Sequence, residues 1–284
     1  MRPHIAAIYA FARVADDMAD EGERSIAERH GLLDAWLARL GQCRAQESSM
    51  RTGDLPLPPS DVVDGETVLA IFRALGHTIR GLGLPLSPFE DLLGAFRQDV
   101  TTHRYATWTS LLDYCRRSAN PVGRLVLRVA GYTRPDLDAA SDGLCTALQL
   151  TNFWQDLERD WRRGRLYVPI ADLEACGAAT TDLDDGRLGP GWRDVMARVA
   201  ARTRDLFAAG RPVCDGVHGR LRYELRMTWL GGTAILDRLE RGGFDVFTVR
   251  PELRRADMWP LLWDAVRWRP PVTRSLESKE SKAR

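Results

Sequence analysis

The sequence is short of the residues that build most familiar sites. Its five cysteines, Cys43, Cys115, Cys145, Cys176 and Cys214, are odd in number and widely scattered. They form no C-x-x-C pair and no Cys/His metal spacing, which argues against a disulfide framework or a thiolate metal site and predicts free thiols in a reducing cytoplasm. The five histidines are equally dispersed. No Ser/His/Asp order, Walker loop or G-x-G-x-x-G stretch occurs, so nothing points to an activated nucleophile or a nucleotide cradle. Apolar runs stay short of the roughly 18 to 20 residues of a membrane span. The formal net charge is only +1, which removes any bulk electrostatic reason to expect nucleic acid. The opening MRPHIAAIYAFARVADD has one arginine and an apolar run, but it turns acidic without a small-residue cleavage site and does not read as a signal peptide. Strand signals are nearly absent, and no internal repeat of fixed period is visible.

What the chain does have is apolar patterning at the helical period, punctuated by Pro and Gly. The pattern predicts helices near 4–21, 26–44, 65–82, 88–101, 109–131, 136–163, 192–217 and 219–241, and a last one around 255–267. Pro121 falls inside the 109–131 pattern and should kink or break it. Segments 51–61 and 179–191 read as loops. At 284 residues the chain can bury a sizeable core, and the simplest architecture is one all-α domain over 1–270, followed by a polar, disordered tail at 271–284.

Two acidic stripes interrupt this pattern. In YAFARVADDMADEGE, Asp16, Asp17 and Asp20 crowd a helix that is otherwise apolar. Asp is a poor helix former, and like charges one turn apart repel. Residues four apart share a helix face, so Asp16 and Asp20 point the same way, with Arg13 and Tyr9 on the same stripe. The second stripe lies in LQLTNFWQDLERDWRRGRLYVP, where Asn152, Asp156 and Asp160 follow at i, i+4 and i+8, with Gln149 three before them. Leu148, Leu150, Phe153 and Trp154 flank that row, which suggests a partly buried wall. A lone D-x-x-x-D is usually a solvated face. Two such stripes in apolar sequence, each with an arginine nearby, point instead to clustered carboxylates awaiting a cation. Mg²⁺ takes oxygen ligands, usually one or two carboxylates plus waters and substrate phosphate. Facing aspartate pairs could therefore hold Mg²⁺ around a diphosphate and draw charge from it as it departs.

YAFARVADDMADE, DYCRRSANPVGRL and the second acidic segment together resemble the squalene/phytoene synthase family, over about residues 2–270. CRRSANPVGR, NFWQDLERDWRRGRLYVP and TWLGGTAILDRLE resemble most the bacterial hopanoid-pathway hydroxysqualene synthases. The resemblance implies an all-α class I isoprenoid synthase bundle with a central cavity. It places the first metal motif on Asp16, Asp17 and Asp20, and the second on Asp156 and Asp160 with Asn152 and Gln155 beside them. It makes Asp16, Asp20, Asp156, Asp160 and Tyr114 catalytic, and Asp16, Asp20, Asn152, Asp156 and Asp160 ligands of two or three Mg²⁺ ions. Arg13, Asp17, Asn152, Gln155, Arg165 and Tyr167 become substrate contacts, with Arg13 and Arg165 as phosphate clamps. The chain departs from the pattern in two respects, in particular residues and at its start. Arg117 stands where many relatives carry a second tyrosine, and Pro121 stands where many carry an apolar residue. Relatives also usually have about one more helix before RPHIAAIYAF, so that N-terminal helix is expected to be missing.

The implied reaction converts presqualene diphosphate to hydroxysqualene and diphosphate: ionisation, rearrangement of a cyclopropylcarbinyl cation, and capture by water, with no NADPH. Aromatic faces stabilise cations without reacting, and Phe11, Phe96, Tyr105, Tyr114, Phe153 and Trp154 are available. Asp99 and Arg104 are weaker candidates, and Gln149, Asn152 or Tyr114 could seat the capturing water. Segments 92–96 and 124–132 are expected to wall a tunnel for the hydrocarbon. Trp259, Trp263 and Trp268 could touch a membrane or cap the core, for a cytoplasmic protein peripheral at the inner membrane face. Rival readings are a head-to-head synthase making presqualene diphosphate or phytoene, a class I terpene cyclase, and a non-enzymatic assembly factor that keeps the fold.

Overall fold

The computed structural model describes residues 1–44, 58 and 62–268. The expected loop at 51–61 lies, apart from residue 58, outside the described residues, and so does the expected tail at 271–284. Among the described residues there is no strand, and the one β-bridge joins Arg104 to Leu166. The helices are α1 (Arg2–Asp20), α2 (Ile26–Gln42), α3 (Gly65–Leu82), α4 (Ser87–Asp99), α5 (Trp108–Ser118), α6 (Asn120–Val129), α7 (Pro135–Gln155), α8 (Leu157–Arg162), α9 (Ile170–Cys176), α10 (Thr181–Asp184), α11 (Pro190–Gly210), α12 (Val213–Gly216), α13 (Gly219–Arg241) and α14 (Met258–Arg267).

Local chemistry sets several of these boundaries. Ser25 and Glu28 form a reciprocal capping box at the start of α2, and Asp64 caps α3 through the Thr67 amide. Pro121 sits in the first turn of α6, where its missing N–H costs nothing, and the chain breaks at Ala119 as the sequence predicts.

Three expectations are corrected. The helix predicted over 136–163 is two helices, α7 and α8, separated at Asp156, whose backbone leaves helical geometry at φ −100° and ψ 12°. Asp is a poor helix former, and this carboxylate is gripped by Arg250 from an irregular segment. The helix predicted over 192–217 stops at Gly210, ahead of Pro212, which opens α12. The loop predicted over 179–191 contains the single turn α10 and the first residues of α11.

The buried side chains fall into two clusters. One is organised on α7, which packs along α11, α6 and α13. It holds Trp154, Trp192 and Phe207. A side chain on Gly210 would collide with the Leu144 backbone, so glycine there lets α7 and α11 approach closely. The Trp154 indole donates to Thr203 Oγ1 at 2.9 Å, which satisfies the polar atom of a fully buried ring. The second cluster packs α1 against α2, α3 and α4. Phe11 lies at its centre, with Trp36, Phe72 and Phe89 at ring-centroid distances of 5.9, 6.0 and 5.6 Å. Phe11 and Trp154, expected as possible cation shields, are therefore core residues. Of segments 92–96 and 124–132, Leu93 and Leu125 join the second cluster and Leu127 the first, and neither segment lines the acidic or the apolar cavity described below.

Candidate active site

Helix α1 buries Ala15, Met18 and Ala19, which leaves Asp16, Asp17 and Asp20 on its other side. Its last carbonyls have no partner within the helix. Arg29 of α2 supplies one, donating to the carbonyls of Met18, Ala19 and Gly22 at 3.2, 2.6 and 2.7 Å. The acidic end of α1 is thereby held in place. Arg13 reaches Asp17 at 2.6 Å, Glu21 at 3.1 Å and Asp16 at 3.3 Å.

Downstream, the turn after α8 passes through Gly164 at φ 77°, a conformation that favours glycine. The Arg165 amide then donates to the Asp160 carbonyl at 2.8 Å. Its guanidinium turns to Asp20 and holds both carboxylate oxygens, at 2.6 and 3.1 Å. The two stripes are joined there. Arg13, Asp16, Asp17, Asp20 and Arg165 line one polar cavity of about 620 Å³, completed by Glu21, His103 and Arg163.

The electrostatics tie Asp160 to the same place. Burial pushes its carboxyl up to about 6; the charges of Asp156 and Asp20 push the same way, and Arg165 and Arg163 oppose them. Asp16 is also raised, first by burial and then by the charge of Asp20. Clustered carboxylates that resist ionisation favour a cation or a proton between them. Among the described residues, no three of the His, Cys, Asp and Glu side chains stand close enough to form a ready metal cluster. The carboxylates are shared out among arginines instead: Asp16 and Asp17 to Arg13, Asp20 to Arg165, and Asp156 to Arg250 at 2.7 and 3.1 Å. The donors are all oxygen, as Mg²⁺ requires, and diphosphate oxygens would compete with the carboxylates for these same arginines. In kind and in charge, the residues fit the metal.

Asn152 and Gln155 sit elsewhere. They line a separate, mainly apolar cavity of about 400 Å³, walled by Leu148, Met227, Gly231, Ile235, Leu253 and Leu261. The Gln155 amide donates to the Pro251 carbonyl. Tyr114 and Tyr167 belong to an aromatic cluster with Tyr105 and Phe153, in which Phe153 and Tyr167 stack at 3.7 Å. Tyr114 donates to Asp99 Oδ2 at 2.9 Å, while Asp99 Oδ1 is buried with no hydrogen-bond partner. Burial lifts the Asp99 carboxyl to about 7 against the pull of Tyr114 and Arg165. Arg104 stacks over Trp161 at 4.8 Å. Arg117 bonds Gln98 at 2.5 Å and Asp113 at 3.0 Å, and Gln98 in turn bonds the Tyr105 hydroxyl at 3.2 Å.

Sequence reasoning missed Arg250, Arg163 and His103. Arg250 lies in TVRPELRR, which has no periodicity to set it apart from the other arginines, and only folding brings it to Asp156 across 94 positions.

A family model described as squalene/phytoene synthase matches residues 1–257. The hydroxysqualene synthase of Zymomonas mobilis is 37% identical over 221 residues, which span 77% of this chain and 67% of that protein. The phytoene synthase of Arthrospira platensis is 30% identical over 262 residues, 88% of this chain and 78% of that one. Among solved structures, squalene synthase HpnC from Alicyclobacillus acidocaldarius superposes with a TM-score of 0.74 at 40% identity, covering 86% of this chain and 84% of that one.

Proposed function

The chain belongs to the squalene/phytoene synthase family, and from that premise we propose that it converts presqualene diphosphate to hydroxysqualene and diphosphate, working from the cytoplasm in peripheral contact with the inner membrane face. The general reaction class, chemistry on isoprenoid diphosphates, comes with the family. The observation that carries the finer reading is the convergence of both acidic stripes on Arg165, which bonds Asp160 through its backbone and Asp20 through its guanidinium.

In this reading Asp16, Asp20, Asp156 and Asp160 would hold two or three Mg²⁺ ions, while Asn152, expected as a further ligand, faces the apolar cavity instead. When bound, these ions neutralise the charge that develops on the departing diphosphate. Arg13 and Arg165 exchange their carboxylate partners for phosphate oxygens, a change that suits planar forks. Asp17 keeps Arg13 oriented. The Tyr105, Tyr114, Phe153 and Tyr167 rings, buried together around Asp99, would stabilise the carbocation through their π-faces and hold water away from it until capture. Tyr114, tethered to Asp99, positions the capturing water. Asp99, with a carboxyl near 7, takes up the proton that water releases. No hydride is transferred, so NADPH has no role.

A head-to-head synthase is the second reading, favoured by the likeness to a phytoene synthase over 88% of the chain. Arg117, in place of the second tyrosine, argues against it. The test is product analysis with presqualene diphosphate, with and without Mg²⁺, beside Asp156→Asn, and in parallel with farnesyl diphosphate alone. Hydroxysqualene from presqualene diphosphate only, dependent on metal and on Asp156, supports the first reading. Metal-independent turnover, or presqualene diphosphate made from farnesyl diphosphate, overturns it.

A further inference from the structure

Helix α14 turns an apolar stripe outward. Trp259, Leu262, Trp263 and Val266 follow the i, i+3, i+4, i+7 spacing of one helix face. All four are exposed, Trp259 at 78% and Trp263 at 56%. The opposite face buries Leu261 and Ala265. Met258 and Leu261, with Leu253 just upstream, wall the apolar cavity beside Asn152. The helix is therefore a partition, with the apolar cavity on one side and, on the other, an apolar stripe that no described residue covers.

The stripe is not a fraying end. Arg226 donates to the Ala265 carbonyl at 3.2 Å. Trp268 packs under the guanidinium groups of Arg211 and Arg226, at 4.3 and 4.9 Å, and edge-on to Trp229 at 5.6 Å. The three C-terminal tryptophans thus divide: Trp268 caps the core, while Trp259 and Trp263 face out.

Charge around the stripe is mainly basic. Arg254, Arg255 and Arg267 are exposed, and Arg267 lies over the Trp263 ring at 4.4 Å. Asp257 is engaged by Arg238 at 2.5 Å, and Asp264 lies well round the helix from Trp259. Past Trp268 the sequence adds Arg269, Arg274, Lys279, Lys282 and Arg284 against Glu277 and Glu280.

We propose that α14 docks the protein on an anionic lipid bilayer, with Trp259, Leu262, Trp263 and Val266 at the boundary of headgroups and acyl chains and the arginines on headgroup phosphates. Tryptophan on the apolar side and arginine beside it is the composition of an interfacial helix. A second copy of the chain fits less well. A stable dimer covers roughly 800 Å² on each partner, more than the exposed parts of four side chains on one short helix supply. Docking in this way sets the wall of the apolar cavity against the medium that holds water-insoluble substrates. This names the surface for the membrane contact proposed above and rests on that reading for its purpose, whereas its test needs no catalysis.

The experiment is flotation of the full chain with phosphatidylglycerol–phosphatidylcholine vesicles and with pure phosphatidylcholine vesicles, at low and high salt. Wild type is expected to float with the anionic vesicles, to blue-shift its tryptophan emission, and to release partly at high salt. Trp259→Glu/Trp263→Glu is expected to lose binding at least tenfold, on the order of what moving two charges into the interface costs. Val266→Glu gives an independent smaller loss. Circular dichroism melts matching wild type confirm that the variants fold. Failure of wild type to bind anionic vesicles overturns the proposal. So does equal binding by the folded variants, or a wild-type dimer that becomes monomeric in the double variant while neither binds lipid. Vesicle binding without turnover of presqualene diphosphate leaves the docking standing and overturns the function instead.

Discussion

Arg165 holds both carboxylate oxygens of Asp20, at 2.6 and 3.1 Å, across 145 positions of sequence. The pair joins the end of the first helix to the turn after α8. It sets a flat, doubly bonding cation, of a shape that suits phosphate oxygens, in the wall of the acidic cavity.

If that fork is the phosphate clamp, Arg165→Lys keeps the charge and loses the geometry. We expect kcat/KM to fall about tenfold for Lys and about a hundredfold or more for Ala, by analogy with charge-assisted bonds of a few kcal/mol. Steady-state kinetics on presqualene diphosphate check this. A Lys variant as active as wild type, beside an impaired Ala variant, would mean that Arg165 serves only to neutralise Asp20.

Metal binding is expected to be visible without turnover. Mg²⁺ with inorganic pyrophosphate should raise the melting temperature of wild type, and much less that of Asp16→Asn or Asp160→Asn. Protons compete with the cation for Asp160, whose carboxyl sits near 6. The shift should therefore shrink as pH falls from 7 to 5. A stabilisation that is unchanged in both variants would place the ions elsewhere.

Asp99 predicts the pH dependence of stability. Its folded carboxyl, near 7, lies above the ordinary 3.8, so the protonated form favours the fold. That contribution is complete below about pH 4 and is lost as pH rises through 7, at about 1.4 kcal/mol per unit at most. Asp99→Asn keeps an acceptor for the Tyr114 hydroxyl and carries no charge. Urea melts should show it gaining on wild type between pH 5 and 8, and a constant difference across that range would refute the assignment.

Phe11 is predicted to matter for stability rather than chemistry. It is fully buried among Trp36, Phe72 and Phe89, and Phe11→Ala should destabilise by about 3–5 kcal/mol in chemical denaturation. Phe11→Leu, which fills most of the space, should keep most of the activity. A selective loss of kcat in a stable Leu variant would return the ring to the active site.

Much of this was legible along the chain. Apolar spacing at the helical period located the major helices, and for α3 it reproduced Gly65–Leu82. Helix spacing also determined that Asp16 and Asp20 share a face, because neighbours one turn apart depend only on local backbone geometry. Local signals fail where a side chain answers to something distant. The break at Asp156 carries no Pro or Gly to announce it, and its arginine partner lies 94 residues away. Aromatic residues read alike in sequence whether they line a site or fill a core, and only packing sent Phe11 and Trp154 inward while Trp259 and Trp263 stayed outside. What the sequence determined by itself was the major helices and the acidic face of the first stripe, whereas the second stripe is divided by the break at Asp156. The tertiary structure decided which charge meets which, because such pairs depend on distances between segments that no local periodicity encodes.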